Sequence, residues 1–274
     1  MLNRTFFLLL PIALIAFALL EHAPALAQDE STPDKQDAFA EATEGLALSE
    51  GFIDIFSSTD KGKVLALLPA ADDDSQNPGV LLRFIHAQRL KAGLGSNPLG
   101  LDRGWGNSGR ILRFRRIGEQ VIAEVENHRY RAVTDNALER SAVNDSFASS
   151  FVWSTEIVAE NSDGRPLIDL AGLLTTDALG LARKLSRDGG KFSRAADRSM
   201  PDAGSLLVFP DNVEIDAWVT FTGDEPGSEI QATAADANAV TLVQHHSLVR
   251  LPDDGYRVRR ADPRTGTFTL GFYD

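Results

Sequence analysis

The sequence contains no cysteine. No disulfide can therefore stabilise the fold, and no thiolate can act as a nucleophile or as a zinc ligand. The absence of cysteine also excludes lipid attachment behind a signal-peptide cleavage site. Stability has to come from a packed core, and the roughly 245 residues that follow residue 27 suffice for one large or two small domains.

Positive charge is scarce as well, since 27 lysine and arginine residues face 39 aspartate and glutamate residues and leave a net charge of −12. An acidic surface repels phosphate backbones and anionic lipid headgroups. We therefore expect no nucleic-acid partner, and no membrane partner after signal cleavage. The composition is compatible with a solvated periplasmic or extracellular protein.

The long apolar run of the chain lies at its N-terminus, over residues 6–20. Arg4 precedes it, and Ala25-Leu26-Ala27 follows as a small-x-small cleavage site. The run is shorter than the roughly 20 apolar residues that a membrane-spanning helix needs. This layout predicts a cleavable signal peptide over residues 1–27 and export to the periplasm or the cell exterior, with an uncleaved membrane anchor as the alternative.

The remainder divides into a leader and a β-rich part. Residues 28–44 are polar, acidic and poor in β-branched side chains, which predicts a flexible leader. Residues 45–274 are expected to be β-rich, because apolar or alternating runs bounded by turn residues predict strands. These runs lie at 52–56, 64–68, 80–88, 111–116, 121–126, 152–159, 167–170, 213–222, 240–251 and 267–273. In Leu112-Arg113-Phe114-Arg115 the alternation predicts one buried face and one wet face.

Two helices are expected among these strands. Residues 136–149 place apolar side chains roughly along one side, and Asp135 or Asn136 can cap the start. Residues 176–187 begin at a threonine cap, Thr175 or Thr176, and end before a glycine pair. Many strands with two helices predict an α+β fold that consists mainly of antiparallel β-sheet.

The histidines lack the spacing of a zinc peptidase site. Such a site needs H-E-x-x-H on a helix, where positions i and i+4 share one face. None of the five histidines fits it: His22, His86, His128, His245 and His246. His245 and His246 are adjacent in a predicted strand, so their rings should point to opposite faces, one into the core or an interface and one into solvent. A metal site at this pair is the weaker alternative, and we predict no catalytic residue and no metal ligand.

A glycine-rich loop over residues 93–104 is the most distinctive local pattern. It lacks the G-K-[ST] ending of a phosphate-binding loop, so we attribute its glycines to backbone conformations with positive φ. Asp102 and Arg103 are expected to brace this loop. A candidate interaction surface follows from the loop and the histidine pair, and it comprises Asn97, Asp102, Arg103 and His246.

Two weaker patterns do not require a catalytic or metal-binding interpretation. Ser108 lies in a glycine-rich turn, but it has neither the G-x-S-x-G context of a nucleophile nor an identifiable base. Aspartates at 72–74 and 253–254 lie in turn-like stretches. They are expected to be solvated, with a weak Ca²⁺ site as the alternative.

Several blocks of sequence, taken together and in order, resemble a known family. They include residues 50–52, 60–69, 93–104, 113–116, 145–148, 209–214 and 221–223, and stretches of 240–264. The chain resembles the N-terminal region of bacterial exported zinc-dependent metalloproteases. In these proteins, domains of unknown function of the DUF5118 and DUF5117 types precede a metzincin-like catalytic domain. The resemblance covers most of residues 45–274.

The resemblance implies a function without catalysis. In that family the zinc-binding helix, H-E-x-x-H-x-x-G-x-x-H, lies well downstream, so no catalytic or zinc residue can be carried over to this chain. We expect a non-catalytic N-terminal domain that supports a downstream catalytic domain, with zinc only in that domain and no peptidase activity in this chain alone. The alternatives are a free-standing periplasmic binding or scaffold module and a partial gene product.

Overall fold

A computed structural model describes residues 35–71, 78–107, 109–253, 255, 257, 262 and 264. Several sequence features lie outside these residues: the predicted signal peptide, the first part of the leader, the aspartates at 72–74, Ser108 and the predicted strand at 267–273. Within the described residues, no helix is long and apolar enough to cross a membrane.

The described residues form twelve strands and five short α-helices. The strands are β1 (Ala47–Ser49), β2 (Asp54–Ser58), β3 (Lys63–Leu67), β4 (Val80–Ala92), β5 (Arg110–Ile117), β6 (Gln120–Val125), β7 (Ser150–Glu160), β8 (Pro166–Asp169), β9 (Ser193–Arg194), β10 (Met200–Val208), β11 (Asn212–Thr222) and β12 (Ala239–Arg250). The helices are α1 (Lys35–Thr43), α2 (Ala137–Ser146), α3 (Ala171–Leu174), α4 (Leu181–Leu185) and α5 (Ser228–Thr233), and a 3₁₀ helix spans Ala196–Arg198.

The twelve strands belong to a single sheet. Their order is β1-β2-β3-β8-β7-β6-β5-β4-β12-β11-β10, and β9 pairs with β11 beside this path. Every pairing between these strands is antiparallel. The predicted α+β fold of mainly antiparallel sheet is therefore confirmed.

Alternation along the strands separates the core from the outer face, and β5 illustrates it. Leu112 and Phe114 are buried, and the Phe114 ring lies 4.9 Å from the ring of Phe84 on the neighbouring strand β4. Each such buried side chain contributes roughly 1.5–3 kcal/mol relative to an exposed one. Arg113 and Arg115 lie on the opposite face, as the alternation predicted.

The two ends of the sheet approach one another, because β2, next to the first strand in the order, comes close to the last strand, β10. The backbone N–H of Phe52, just before β2, donates to the carbonyl of Phe209, just after β10, at 2.8 Å. Two short helices contribute buried leucines to the enclosed core, Leu173 and Leu174 from α3 and Leu181 and Leu185 from α4. The sheet thus curls around a single main core.

The two predicted helices differ in how well their predicted ranges agree with the structure. The first is present as α2, and the Asn136 side chain accepts the predicted capping hydrogen bond from the N–H of Leu138 at 3.0 Å. The second, predicted over residues 176–187, is wrong in extent, because within that range only α4 is helical, and it starts five residues later, after Gly180 with a φ of 68°. The short helix α3 lies before the predicted range, and Thr175 closes it by donating its hydroxyl to Ala171 O instead of starting a helix.

The leader also differs from the expectation, because its second half forms α1. The Phe39 ring packs edge-on against Phe56 of β2, with ring centroids 5.7 Å apart. Phe39 and Ala42 cover a small second core of Leu65, Leu67 and Leu167. The overall polarity of residues 28–44 concealed these few apolar side chains, which are enough to dock one short helix.

Candidate functional site

The glycine-rich loop at 93–104 is held mainly by α4. The Lys184 ammonium donates to the carbonyls of Leu99 and Gly100 at 3.3 and 3.1 Å, and it lies 3.9 Å from the centre of the Trp105 ring. Asn97 forms the turn itself, since its carboxamide accepts from Leu99 N at 3.0 Å. The loop is therefore a braced structure built around a cation from another element.

The loop residues of the candidate surface occupy different environments. Arg103 is exposed, whereas Asp102 is half-buried and its Oδ1 has no hydrogen-bond partner among the described residues. Among these residues no ion pair joins Asp102 to Arg103, so the expected bracing by this pair is replaced by Lys184. His246 requires a correction, because its side chain is fully buried and cannot belong to an exposed surface.

His246 belongs instead to a buried histidine pair. Its Nδ1 lies 3.0 Å from Nε2 of His86, and the two rings are stacked with centroids 5.3 Å apart. Burial, and then the charge of Arg110, lowers the pKa of His86 to about 4. Burial, followed by the neighbouring His86 and His245, lowers the pKa of His246 well below its usual value. Both rings are therefore neutral near pH 7, and one donates to the other.

Two amides lie beside this pair on the buried face of β4 and β12. Gln88 is opposite His246 in the strand register, and Gln244 is two residues before it. Both side chains are fully buried, and each has one atom, Nε2 of Gln88 and Oε1 of Gln244, without a partner in the described structure. Buried polar groups are normally hydrogen-bonded, so these two amides are polar groups within the core whose hydrogen bonds are incomplete.

His245 points to the other face, and the predicted division of the pair between core and solvent is confirmed. Its Nδ1 lies 2.7 Å from Oδ1 of Asp216, and its Nε2 lies 2.8 Å from Oε2 of Glu214. Ser247 donates its hydroxyl to Glu214 at 2.6 Å rather than to the imidazole. The arrangement therefore differs from a Ser-His-Asp relay, in which the base accepts from the serine.

His128 is engaged as well, since its Nε2 lies 2.7 Å from a carboxylate oxygen of Glu126. Each of the four histidines that follow residue 27 thus has a protein partner at hydrogen-bond distance. In the described ranges, no group of three or more His, Cys, Asp or Glu side chains is arranged to hold a metal ion.

A cavity of about 470 Å³, absent from the sequence prediction, lies over the outer face of the sheet. Its floor comes from β4 and β5 and its other walls from residues 126–149, which include α2. Five arginines line it: Arg83, Arg113, Arg115, Arg131 and Arg140. We call this cavity the arginine pocket.

Strand register brings the cations of the pocket together. Arg83 of β4 lies directly opposite Arg113 of β5, which lies opposite Glu124 of β6. Like charges in opposing positions repel, so this row requires carboxylates. Arg113 forms a bidentate pair with Glu124 at 2.8 and 2.9 Å, and Arg83 forms one with Glu126, with both distances 2.7 Å.

The two glutamates are fixed as anions by these contacts. Burial alone would raise the pKa of Glu126, but hydrogen bonds from His128 and Arg83 outweigh it and lower that pKa to about 2. Burial also opposes ionisation of Glu124, and hydrogen bonds from Arg113 and Ser149 still hold its pKa below the usual value. The pocket therefore keeps its internal ion pairs across the physiological pH range.

Apolar surface completes the lining. Tyr130 and Phe147 stack face to face, with centroids 3.8 Å apart and planes inclined by 5°, and Val80 and Val143 also border the cavity. The sequence contained one signal for this site, the alternating arginines of β5. It gave no signal that residues 126–149 would fold over them and turn a wet face into a pocket.

A curled antiparallel sheet with a cationic outer pocket, over the residues described, defines a β-rich class of domain. Comparison with protein families places the chain more narrowly. Residues 105–274 match the domain of unknown function DUF5117, and the chain belongs to that family. No curated protein and no solved structure matches the chain.

Proposed function

We propose that this chain is the non-catalytic N-terminal region of an exported, zinc-dependent, metzincin-like metalloprotease. The observation that carries the proposal is the engagement of every histidine that follows residue 27. Two histidines form a buried pair, His245 lies between two carboxylates, and His128 binds Glu126. A zinc hydrolase needs open nitrogen or oxygen ligands and a free metal position, and these side chains are already occupied.

The proposed partner is a downstream catalytic domain, which would hold the only zinc ion. A docked domain buries apolar surface, and the chain exposes such surface around α2. Val133 and Leu138 are 72% and 79% exposed, and Phe151 of β7 is 58% exposed. Membership of the DUF5117 family over residues 105–274 and the sequence resemblance described above support this arrangement.

Peptidase activity of the isolated chain tests the non-catalytic part of the proposal. Purified residues 28–274 are incubated with labelled casein and zinc, with and without a chelator, beside a known zinc protease as the positive control. We expect no cleavage above that of buffer. Cleavage that requires zinc and disappears with the chelator would contradict the proposal.

The source DNA tests the partner. Reading the three frames beyond codon 274 should reveal an H-E-x-x-H-x-x-G-x-x-H helix within a metzincin-like domain. Unrelated sequence in all three frames would argue against a catalytic partner in cis.

A free-standing binding module is the second candidate function. The arginine pocket favours it, because its volume lies in the range of small-molecule sites and its cations converge on one space. Ligand binding by the isolated chain, with no protease domain encoded nearby, would favour this candidate over the first.

A further inference from the structure

The arginine pocket contains more positive charge than its own carboxylates balance. Five arginines line it, with one carboxylate in the lining, Glu126, and a second, Glu124, bound beneath Arg113. These two carboxylates are already used in bidentate pairs with Arg83 and Arg113. The excess is local, because the chain as a whole carries a net charge of −12.

Arg115 has donor capacity left over. Its closest carboxylate contact is at 3.4 Å, from Nη2 to an oxygen of Glu124 that already accepts from Arg113. Its Nε is buried and has no hydrogen-bond partner among the described residues. The side chain is 26% exposed, and its guanidinium lies 5.5 Å from the centre of the Phe151 ring. The charge of Arg115 is therefore only partly matched, and an anion in the cavity can reach the exposed part of the side chain and accept charge-assisted hydrogen bonds from it.

Arg140 brings a second unbalanced charge from the opposite wall. It extends from α2 and donates one N–H to the carbonyl of Thr134 at 2.7 Å. Over the part of the chain that the structure describes, no ion pair joins Arg140 to a carboxylate. A backbone carbonyl orients a guanidinium without neutralising it. Positive charge therefore reaches the cavity from both the sheet and the helix.

We propose that the arginine pocket binds a small organic anion, with its carboxylate or phosphate group on the arginines and its apolar part against the Tyr130–Phe147 stack. Guanidinium forks match the planar spacing of carboxylate and phosphate oxygens. The volume of about 470 Å³ suits a small organic molecule better than a bare inorganic ion. This proposal does not depend on the proposed protease role.

Calorimetric titration of purified residues 28–274 tests the proposal with four probes: phenyl phosphate, phenylacetate, inorganic phosphate and benzyl alcohol. We expect saturable binding of phenyl phosphate, phenylacetate or both, weakened by added NaCl because the attraction is between charges. Whichever of the two binds more tightly identifies phosphate or carboxylate as the preferred group. Benzyl alcohol, which has the ring without the charge, should not bind.

Variants locate the binding. Arg115→Gln and Arg140→Gln should each weaken binding by about tenfold or more, the effect of losing one charge-assisted hydrogen bond. Arg187→Gln removes one exposed arginine outside the pocket and serves as the matched control, with unchanged affinity. Circular dichroism verifies that each variant is folded, and Arg140 is the safer position because α2 has no buried residue.

Three results would overturn the proposal. They are the absence of saturable binding of either organic anion, binding that both pocket variants leave unchanged, and inorganic phosphate binding as tightly as phenyl phosphate. Equally tight binding of inorganic phosphate would mean that the pocket holds an adventitious ion only. The casein assay has no bearing on these outcomes, so failure here and failure of the protease proposal are separable.

Discussion

At the scale of single residues, the buried histidine pair is expected to make the stability of the fold depend on pH. His86 and His246 face each other in the core, and nearby charged groups shift the pKa values of the two rings in opposite directions. Arg110 disfavours the protonated form of His86, while Asp216 slightly favours that of His246. Desolvation is the largest effect on both rings, so folding keeps them neutral.

This burial predicts an acid-sensitive fold. The pKa of His86 falls from its usual 6.5 to about 4 on folding. Between these values the unfolded chain binds more protons than the native chain, so native stability falls as the pH falls through this window and is fully present above it. His86 alone accounts for about 3 kcal/mol over the window, and His246 adds to the loss. Urea unfolding at a series of pH values measures the effect.

The double variant His86→Leu, His246→Leu isolates this contribution. Its loss of stability on acidification should be clearly smaller than that of the wild type, whatever its stability at neutral pH. Arg187→Gln is the control, because it changes an exposed side chain outside the histidine pair. A double variant with the same acid sensitivity as the wild type would show that other groups dominate.

At the scale of secondary-structure elements, α4 depends on a single carboxylate. Asp177 accepts from the backbone N–H of Leu181 at 2.6 Å and of Ala182 at 3.0 Å. Asp177→Ala should lower the free energy of unfolding by about 1–2 kcal/mol, because two helix N–H groups lose their acceptor. Asp177→Asn keeps one acceptor oxygen and should lose less. Urea denaturation of both variants measures the difference, with the exposed Asp197→Ala as the control that should not change.

The helices also show how far sequence reasoning reaches. A cap at Asp135 or Asn136 predicted the start of α2 correctly, since a cap depends only on residues close in the chain. The second helix is shorter than predicted because Thr175 bonds to the end of α3 and Asp177 bonds to the start of α4. Threonine and aspartate make such bonds at either end of a helix. Similarly, α1 is held in place because Phe39 packs against Phe56, and composition alone does not reveal this contact.

The candidate site was predicted only in its local features. Opposite orientation of His245 and His246 follows from strand geometry, and the structure has it. Assignment of His246 to a surface failed because the burial of a strand face depends on which elements cover it. The arginine pocket was missed for the same reason, since Arg83 and Arg113 are 30 residues apart and meet only through the β4–β5 register.

At the scale of the whole molecule, the sheet is stabilised by the approach of its two ends. The contact between Phe52 and Phe209 is a single backbone hydrogen bond, and Gly51 next to it provides the necessary space. A Cβ at Gly51 would lie 2.5 Å from Cγ1 of Val208 and 2.6 Å from the carbonyl oxygen of Phe209. Real Cβ atoms do not approach other atoms so closely, so the two ends meet only because this residue has no side chain.

Gly51→Ala should therefore loosen the closure of the sheet. Overpacking of this kind costs about 1–3 kcal/mol of unfolding free energy, and the obstructing oxygen belongs to the backbone, which cannot rotate away as a side chain could. Urea unfolding compares the variant with Glu50→Ala, an exposed neighbour that should have little effect. Hydrogen exchange at the Phe52 amide gives a second measurement, since that proton should exchange faster when the ends separate. Equal stability and equal protection in Gly51→Ala would mean that the closure accommodates a Cβ at residue 51 and does not require the space that glycine leaves.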